Sequence, residues 1–247
     1  MYLTIRGSRL RILRALMPEI LEITQLSAGY GPLRVLHEID LTIKSGERIG
    51  LVGLNGHGKS TLVRAITHMT GWQQGSIKLD GIEIGGSRSL GAGRRTPSLV
   101  KKGIGVAPQG DAIFPGLSVR KHLECGAYTK QAWKHRKTRI DRVFDIFPPL
   151  RSLEHSLVGK LSGGERRMVS IGRMLMTEAK LYLVDEPSLG LAPKISHRVM
   201  EALWALPVEG AMIIAEQNVK LLSDRADRII GMHAGRLRGD VGHVELT

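Results

Sequence analysis

Apolar positions along the chain change their period twice, after Ser118 and again beyond Lys180. From Ile20 to Gly50, short β-prone runs such as "ILEITQL" and "EIDLTIK" are broken by "GYGPL" and "KSGE", which predicts strands and turns. "SIKLDGIEI", residues 76 to 84, alternates around Asp80-Gly81 and predicts a hairpin with a primed turn. After Ser118 the spacing becomes helical in "SVRKHLECGAY", "WKHRKTRIDRVFDIF" and "GERRMVSIGRMLMTEA", so residues 112–176 are expected to form a helical lobe. Beyond Lys180 the strand-like "LYLVDE" and "AMIIAE" alternate with the helical "KISHRVMEALWAL" and "NVKLLSDRA". That β-α-β rhythm predicts a parallel sheet covered by helices.

Composition adds bounds. The 247 residues suffice for one large domain or a core with an inserted lobe. Hydrophobic residues at 42% and charged ones at 24% describe a folded chain. No run reaches the roughly 18 apolar residues of a membrane-spanning helix, so the chain is not expected to span a bilayer. The single cysteine, Cys125, leaves no internal disulfide framework. The net charge of +13 points to an anionic partner, with nucleic acid, an anionic membrane face and nucleotide phosphates all open, or to a basic surface alone. Residues 1–16 carry four arginines and no acid, and they lack the apolar core and cleavage site of a signal peptide. A frayed basic arm and a start placed upstream of Met17 both fit that segment. Residues 85–97, "GGSRSLGAGRRTP", predict a Gly/Arg loop.

Candidate chemistry sits at the ends of two apolar strands. "GLNGHGKST", residues 53–61, follows "ERIGLV" and precedes "TLVRAITHM", the strand-loop-helix setting of a phosphate-binding loop. Gly53, Gly56 and Gly58 let the backbone curl until its N–H groups and the helix N-terminus face an anion. Lys59 can then reach terminal phosphates, and Ser60 can offer its hydroxyl to Mg²⁺. "LYLVDEP", residues 181–187, ends in two carboxylates. With a phosphate loop present, Asp185 is expected to hold Mg²⁺ and Glu186 to polarise an attacking water. His57 receives no role.

A third segment narrows the reading. "LSGGERRM", residues 161–168, precedes the acidic strand by about 20 residues and resembles the signature of ATP-binding-cassette ATPases. The resemblance extends from about Leu21 to Leu246 and implies an α/β P-loop NTPase core with a mainly parallel sheet. It also implies an N-terminal antiparallel β subdomain and an inserted α-helical subdomain. Residues 17–111 and 177–247 would form the β and nucleotide-binding core of a single domain spanning 17–247, and 112–176 the helical part.

The resemblance further implies ATP and Mg²⁺ as cofactors. Tyr30 matches the aromatic residue that stacks on adenine, although an ordinary half-buried tyrosine fits as well. Asn55 and Thr61 join Gly53, Gly56, Gly58, Lys59 and Ser60 around the nucleotide. Gln109, in "PQG", matches the glutamine that touches Mg²⁺ and the attacking water. Ser162, Gly163 and Gly164 would contact a nucleotide held by a second cassette. Gln217 stands where most cassettes have a switch histidine, and Gly190 is read as replacing a common aspartate of the dimer-contact loop. In "GAMIIAEQNVK", Gln217 is therefore expected to be the delivered residue, with Glu216 and Asn218 pointing away.

Within the family, "PQGDAIFPGLSVRKHL", "DEPSLGLAP" and "AEQNVKLLSDRADRI" look most like the second ATPase subunit of branched-chain amino-acid importers and their urea/amide relatives. The partners implied are a second, non-identical cassette, two transmembrane permeases and, indirectly, an extracytoplasmic solute-binding protein, with no nucleic acid. The chain would sit peripherally on the cytoplasmic face of the membrane. The basic segment 130–139 reads as a solvated helix face, with lipid headgroup contact as its functional alternative. The rival class is a nucleic-acid- or ribosome-associated cassette, which +13 would suit; the absence of a second cassette in the chain and of a long coiled-coil insertion argues against it.

Overall fold

The computed structural model describes residues 17–85, 99, 101–206, 210–222 and 225–240. The segments 1–16 and 86–98, for which a basic arm and a Gly/Arg loop were expected, lie outside the described residues.

Strands β1 (Glu19–Tyr30), β2 (Leu33–Lys44), β4 (Trp72–Leu79) and β5 (Ile82–Gly85) form an antiparallel sheet in the order β2-β1-β4-β5. The turn between β4 and β5 has positive φ at both central residues, 52° at Asp80 and 70° at Gly81. That is the primed hairpin read from Asp-Gly. A bulge at Gln25, φ 50°, interrupts β1, and Asp40 closes it by accepting the Gln25 backbone N–H at 2.8 Å and its side-chain amide at 2.7 Å.

The second sheet has the order β10-β9-β3-β8-β7-β6. It comprises β3 (Arg48–Val52), β6 (Ile104–Ala107), β7 (Leu181–Asp185), β8 (Ala211–Glu216), β9 (Arg228–His233) and β10 (Arg236–Asp240). All pairs are parallel except the β9–β10 edge. β7 and β8 are buried along their whole length, as strands covered on both faces must be. Their side chains alternate between two cores. Leu181, Leu183, Ala211 and Ile213 join the core shared with the antiparallel sheet, while Tyr182, Val184, Met212 and Ile214 join the core of the helical side.

Helix α1 (Lys59–Ile66) follows β3, and α7 (Pro193–Ala205) lies between β7 and β8. Between β6 and β7 the chain forms α2 (Val119–Glu124), α3 (Lys130–Lys134), α4 (Arg136–Ile146), α5 (Pro149–Ser152) and α6 (Gly163–Leu175). Two helical readings change. "WKHRKTRIDRVFDIF" breaks at His135, which leaves helical geometry at φ −100°, ψ 14°. In "NVKLLSDRA" the described residues hold only a 3₁₀ turn, Val219–Leu221, because the Asn218 side chain accepts the Lys220 N–H at 3.1 Å and favours a turn. No helix of the described residues is long and apolar enough to cross a membrane.

The core beneath α2 contains His122, which is fully buried with no hydrogen-bond partner at either ring nitrogen among the described residues. Its ring leans on Phe114 at 5.5 Å. Burial, reinforced by the charge of Arg173, pushes its pKa from the ordinary 6.5 down to about 4. The unfolded chain therefore binds a proton that the folded chain refuses between these values, and stability falls as pH drops from 6.5 towards 4. We expect denaturant melts to lose about 1–3 kcal/mol across that window from this residue, and His122→Leu to flatten the slope.

Candidate active site

β3 ends at Val52, and the chain turns through residues 53–58 into α1. Gly56 and Gly58 have φ of 82° and 106°, values that a side chain would strain. Gly53 is required for a different reason: a Cβ there would lie 2.4 Å from the Met232 carbonyl. The resulting loop and the start of α1 form a backbone cradle suited to an anion.

Lys59, only 3% exposed, curls over this loop. Its Nζ donates to the carbonyls of Gly53 at 2.7 Å and Leu54 at 3.3 Å, and lies 3.1 Å from Glu186 Oε1. Gln109, just beyond β6, donates from Nε2 to Glu186 Oε2 at 2.8 Å. The Ser60 hydroxyl donates to Asp185 Oδ1 at 3.1 Å. Five residues from three separated segments, Lys59 and Ser60, Gln109, and Asp185 and Glu186, thus converge at the carboxyl ends of strands of one sheet, where open parallel sheets place their ligands. Burial holds the Asp185 carboxyl above the ordinary carboxylate range, the Ser60 hydrogen bond opposes that shift, and the charge of Glu186 adds to it. A hydroxyl beside a single carboxylate is the sparse oxygen set of an ion that keeps waters and binds phosphate, which fits Mg²⁺.

Glu186 has φ 46°, uncommon for a non-glycine residue and frequent at functional sites. Its N–H donates to the Ala215 carbonyl at 2.8 Å and its carbonyl accepts from Leu189 N–H at 3.2 Å, so the turn after β7 is tied at both ends.

The remaining expected residues lie as follows. Asn55 is exposed on the phosphate loop and Thr61 is buried in α1. Tyr30 ends β1 half-buried, with its hydroxyl 3.5 Å from Arg64 Nη1 on α1. Ser162 caps α6 through a reciprocal capping box with Glu165, and Gly163 and Gly164 form the first turn. A Cβ on Gly164 would meet Ile195 of α7 at 2.7 Å, so glycine there is also a packing requirement. Gln217 is exposed immediately after β8.

One feature departs from expectation. Glu216 belongs to β8, is 3% exposed, and accepts the backbone N–H of Ser188 at 2.8 Å, so the strand delivers a carboxylate to the turn after β7. Burial raises its carboxyl above the ordinary range. Gly190 has φ 73°, which accounts for glycine by backbone geometry.

Arg167 carries a role that the motifs alone did not suggest. It is 2% exposed and donates to the carbonyls of Pro108 at 2.7 Å, of Gly110, and of Asp185 at 2.7 Å. These carbonyls flank Gln109 and precede Glu186, so one guanidinium fixes both. The signal was present in the sequence: Arg167 occupies the apolar stripe of α6 with Gly164, Met168, Ile171 and Met174.

A phosphate cradle, a buried lysine and two carboxylates ending a parallel strand define a P-loop nucleotide-binding ATPase. Residues 36–189 match the family described as ABC transporter. The chain is 35% identical over 230 residues to the high-affinity branched-chain amino acid transport ATP-binding protein BraG of Pseudomonas aeruginosa, covering 92% of this chain and 95% of that protein. It is 34% identical over 220 residues to the probable branched-chain amino acid transport ATP-binding protein LivF of Archaeoglobus fulgidus, covering 88% and 90%. A solved ATP-binding subunit of an ABC transporter superposes with a TM-score of 0.74 at 24% identity over 90% of each chain, which supports the fold. The chain belongs to the ABC transporter ATP-binding family.

Removing Arg167 would take a donor from the buried carbonyl of Asp185 and from the carbonyls of Pro108 and Gly110, and a positive charge from beside Asp185, Asp111, Glu216 and Glu186. Arg167→Ala is expected to destabilise the fold by about 3 kcal/mol and to lower Tm by roughly 6–12 °C in a thermal melt. Arg167→Lys is expected to recover only part of the loss, because an ammonium cannot reach carbonyls on three sides.

Proposed function

We propose that this ATPase energises an importer of branched-chain or other hydrophobic amino acids, or of urea and amides. The observation that carries its catalytic part is the convergence of Lys59, Gln109 and Glu186 within 3.1 Å at the mouth of the phosphate loop. In this reading the loop backbone, Asn55 and Lys59 bind the phosphates of ATP, Thr61 lies at the helix start beside them, and Tyr30 stacks on the adenine. Ser60, Asp185 and Gln109 hold Mg²⁺, which neutralises charge on the phosphates when bound. Glu186 takes the proton of the attacking water while Gln109 orients it. Gln217 offers an amide to the γ-phosphate and, unlike histidine, takes up no proton.

Ser162, Gly163 and Gly164 would complete the nucleotide site of a second, non-identical cassette. Both cassettes would dock peripherally on two permeases at the cytoplasmic face, with a solute-binding protein acting from the other side. The solute class rests on the two branched-chain amino acid transport relatives, at 34–35% identity and near-complete coverage.

Two measurements test this reading. Glu186→Gln in the assembled transporter is expected to retain ATP binding and lose at least about a hundredfold in turnover, and residual turnover within threefold of the unmodified protein would refute the base assignment. Affinity purification of the tagged chain from solubilised membranes is expected to recover two permeases and a second cassette, whereas recovery of ribosomes or DNA in their place would overturn the transport reading.

A further inference from the structure

The catalytic reading leaves Glu216 without a task, yet it is a carboxylate buried at the end of the central strand β8. An apolar residue would fill that place without the cost of desolvating a charge, so packing does not account for it. Its two oxygens are both engaged. Oε1 accepts Ser188 N–H at 2.8 Å, and Oε2 accepts the N–H of Gln217 at 3.2 Å. The register of β7 against β8 pairs Asp185 with Ala215, which puts Glu216 level with Glu186 on the neighbouring strand.

The turn that Glu216 grips is the one carrying Glu186. Glu186 N–H is held by Ala215, its carbonyl by Leu189 N–H, and Ser188 N–H by Glu216. Glu186 sits in that turn at φ 46°. A left-handed non-glycine residue persists only where its surroundings over-determine it. Beyond this turn, Leu189 is half exposed and Gly190 has positive φ, and the loop's further tie is the Leu191 N–H to the Ser188 carbonyl at 3.1 Å, so the grip on Ser188 N–H falls to Glu216.

We propose that Glu216 is a positioning residue: by accepting Ser188 N–H it locks the turn Glu186–Leu189 and holds Glu186 in its left-handed conformation, facing Lys59 and Gln109. The inference rests on Glu186 as the base, and it concerns what keeps that base in place. It also ties the backbone of Gln217 to the same carboxylate, so the two strand ends move as one unit.

The test compares Glu216→Ala, Glu216→Gln and Glu216→Asp in the assembled transporter. Glu216→Gln keeps an acceptor oxygen at the same reach. Glu216→Asp keeps the charge but falls short by one methylene, and it serves where the alanine variant does not accumulate. We expect Ala and Asp to lower kcat about tenfold or more with KM for ATP within about twofold, and Gln to stay within about threefold of the unmodified protein. Hydrogen exchange of the peptide containing Ser188 should accelerate at least tenfold in Ala and Asp and not in Gln. Unchanged exchange in both Ala and Asp, or a Gln variant as impaired as these, overturns the proposal. The exchange readout is independent of catalysis, so it still judges Glu216 if Glu186→Gln were to show that Glu186 is not the base.

Discussion

The ion pair between Lys59 and Glu186 is the constraint on which the rest of the site depends. Each partner is 5% exposed or less, and a charge so placed is stable only with its counterpart at hand. To bring them together, β3 must lie beside β8 and β8 beside β7, with the ends of all three level. The parallel register meets that demand: Val52 pairs with Glu216, and Asp185 with Ala215. The two cores hold this register, because a slip by one residue would exchange Leu183 with Val184 and Ile213 with Ile214 between opposite faces. Packing far from the site therefore fixes geometry within it.

The buried pair is also a store of interactions ready for exchange. Lys59 is satisfied by two loop carbonyls and a carboxylate, and Glu186 by an ammonium and an amide. A phosphate entering the cradle offers Lys59 oxygens in place of Glu186, and the freed carboxylate then meets water. Binding can shift such an arrangement only by the free-energy difference between the Lys59–Glu186 pair it breaks and the Lys59–phosphate pair it makes. Because Lys59 already has partners, this difference, and not the bare attraction of an ammonium for phosphate, would be its contribution to binding a phosphate.

Much of this was legible in the sequence. The phosphate loop, the acidic strand and the hairpin at Asp80-Gly81 are local patterns whose geometry follows from glycine, charge and alternation. The cap at Ser162 likewise needs only its Glu165 neighbour. Tertiary partners were less legible. "AMIIAEQN" shows that a strand ends in polar residues but not that Glu216 remains within it, because burial of a carboxylate depends on a Ser188 N–H twenty-eight residues away in sequence. The short turn at Val219–Leu221 was hidden for a related reason: helical spacing records which face is apolar, and the Asn218 side chain competing for a backbone N–H overrides it locally.

Arg167 and Glu216 together show how the two carboxylates after β7 are held through the backbone on either side of them. Arg167 reaches from α6 to the carbonyl of Asp185, and Glu216 reaches from β8 to the turn just past Glu186. One restrains the backbone before Glu186 and the other the backbone after it, with opposite charges on either side of the acidic strand. Arg167 also binds the carbonyls flanking Gln109, so the helix that begins with Ser162, Gly163 and Gly164 is mechanically joined to the residue facing Glu186. A displacement of α6 along its axis would pull on Pro108, Gly110 and Asp185 at once. Charged groups buried at this density give up stability that apolar side chains would supply, and what they provide instead is a set of hydrogen-bonded links between α6, β8 and the ends of β6 and β7.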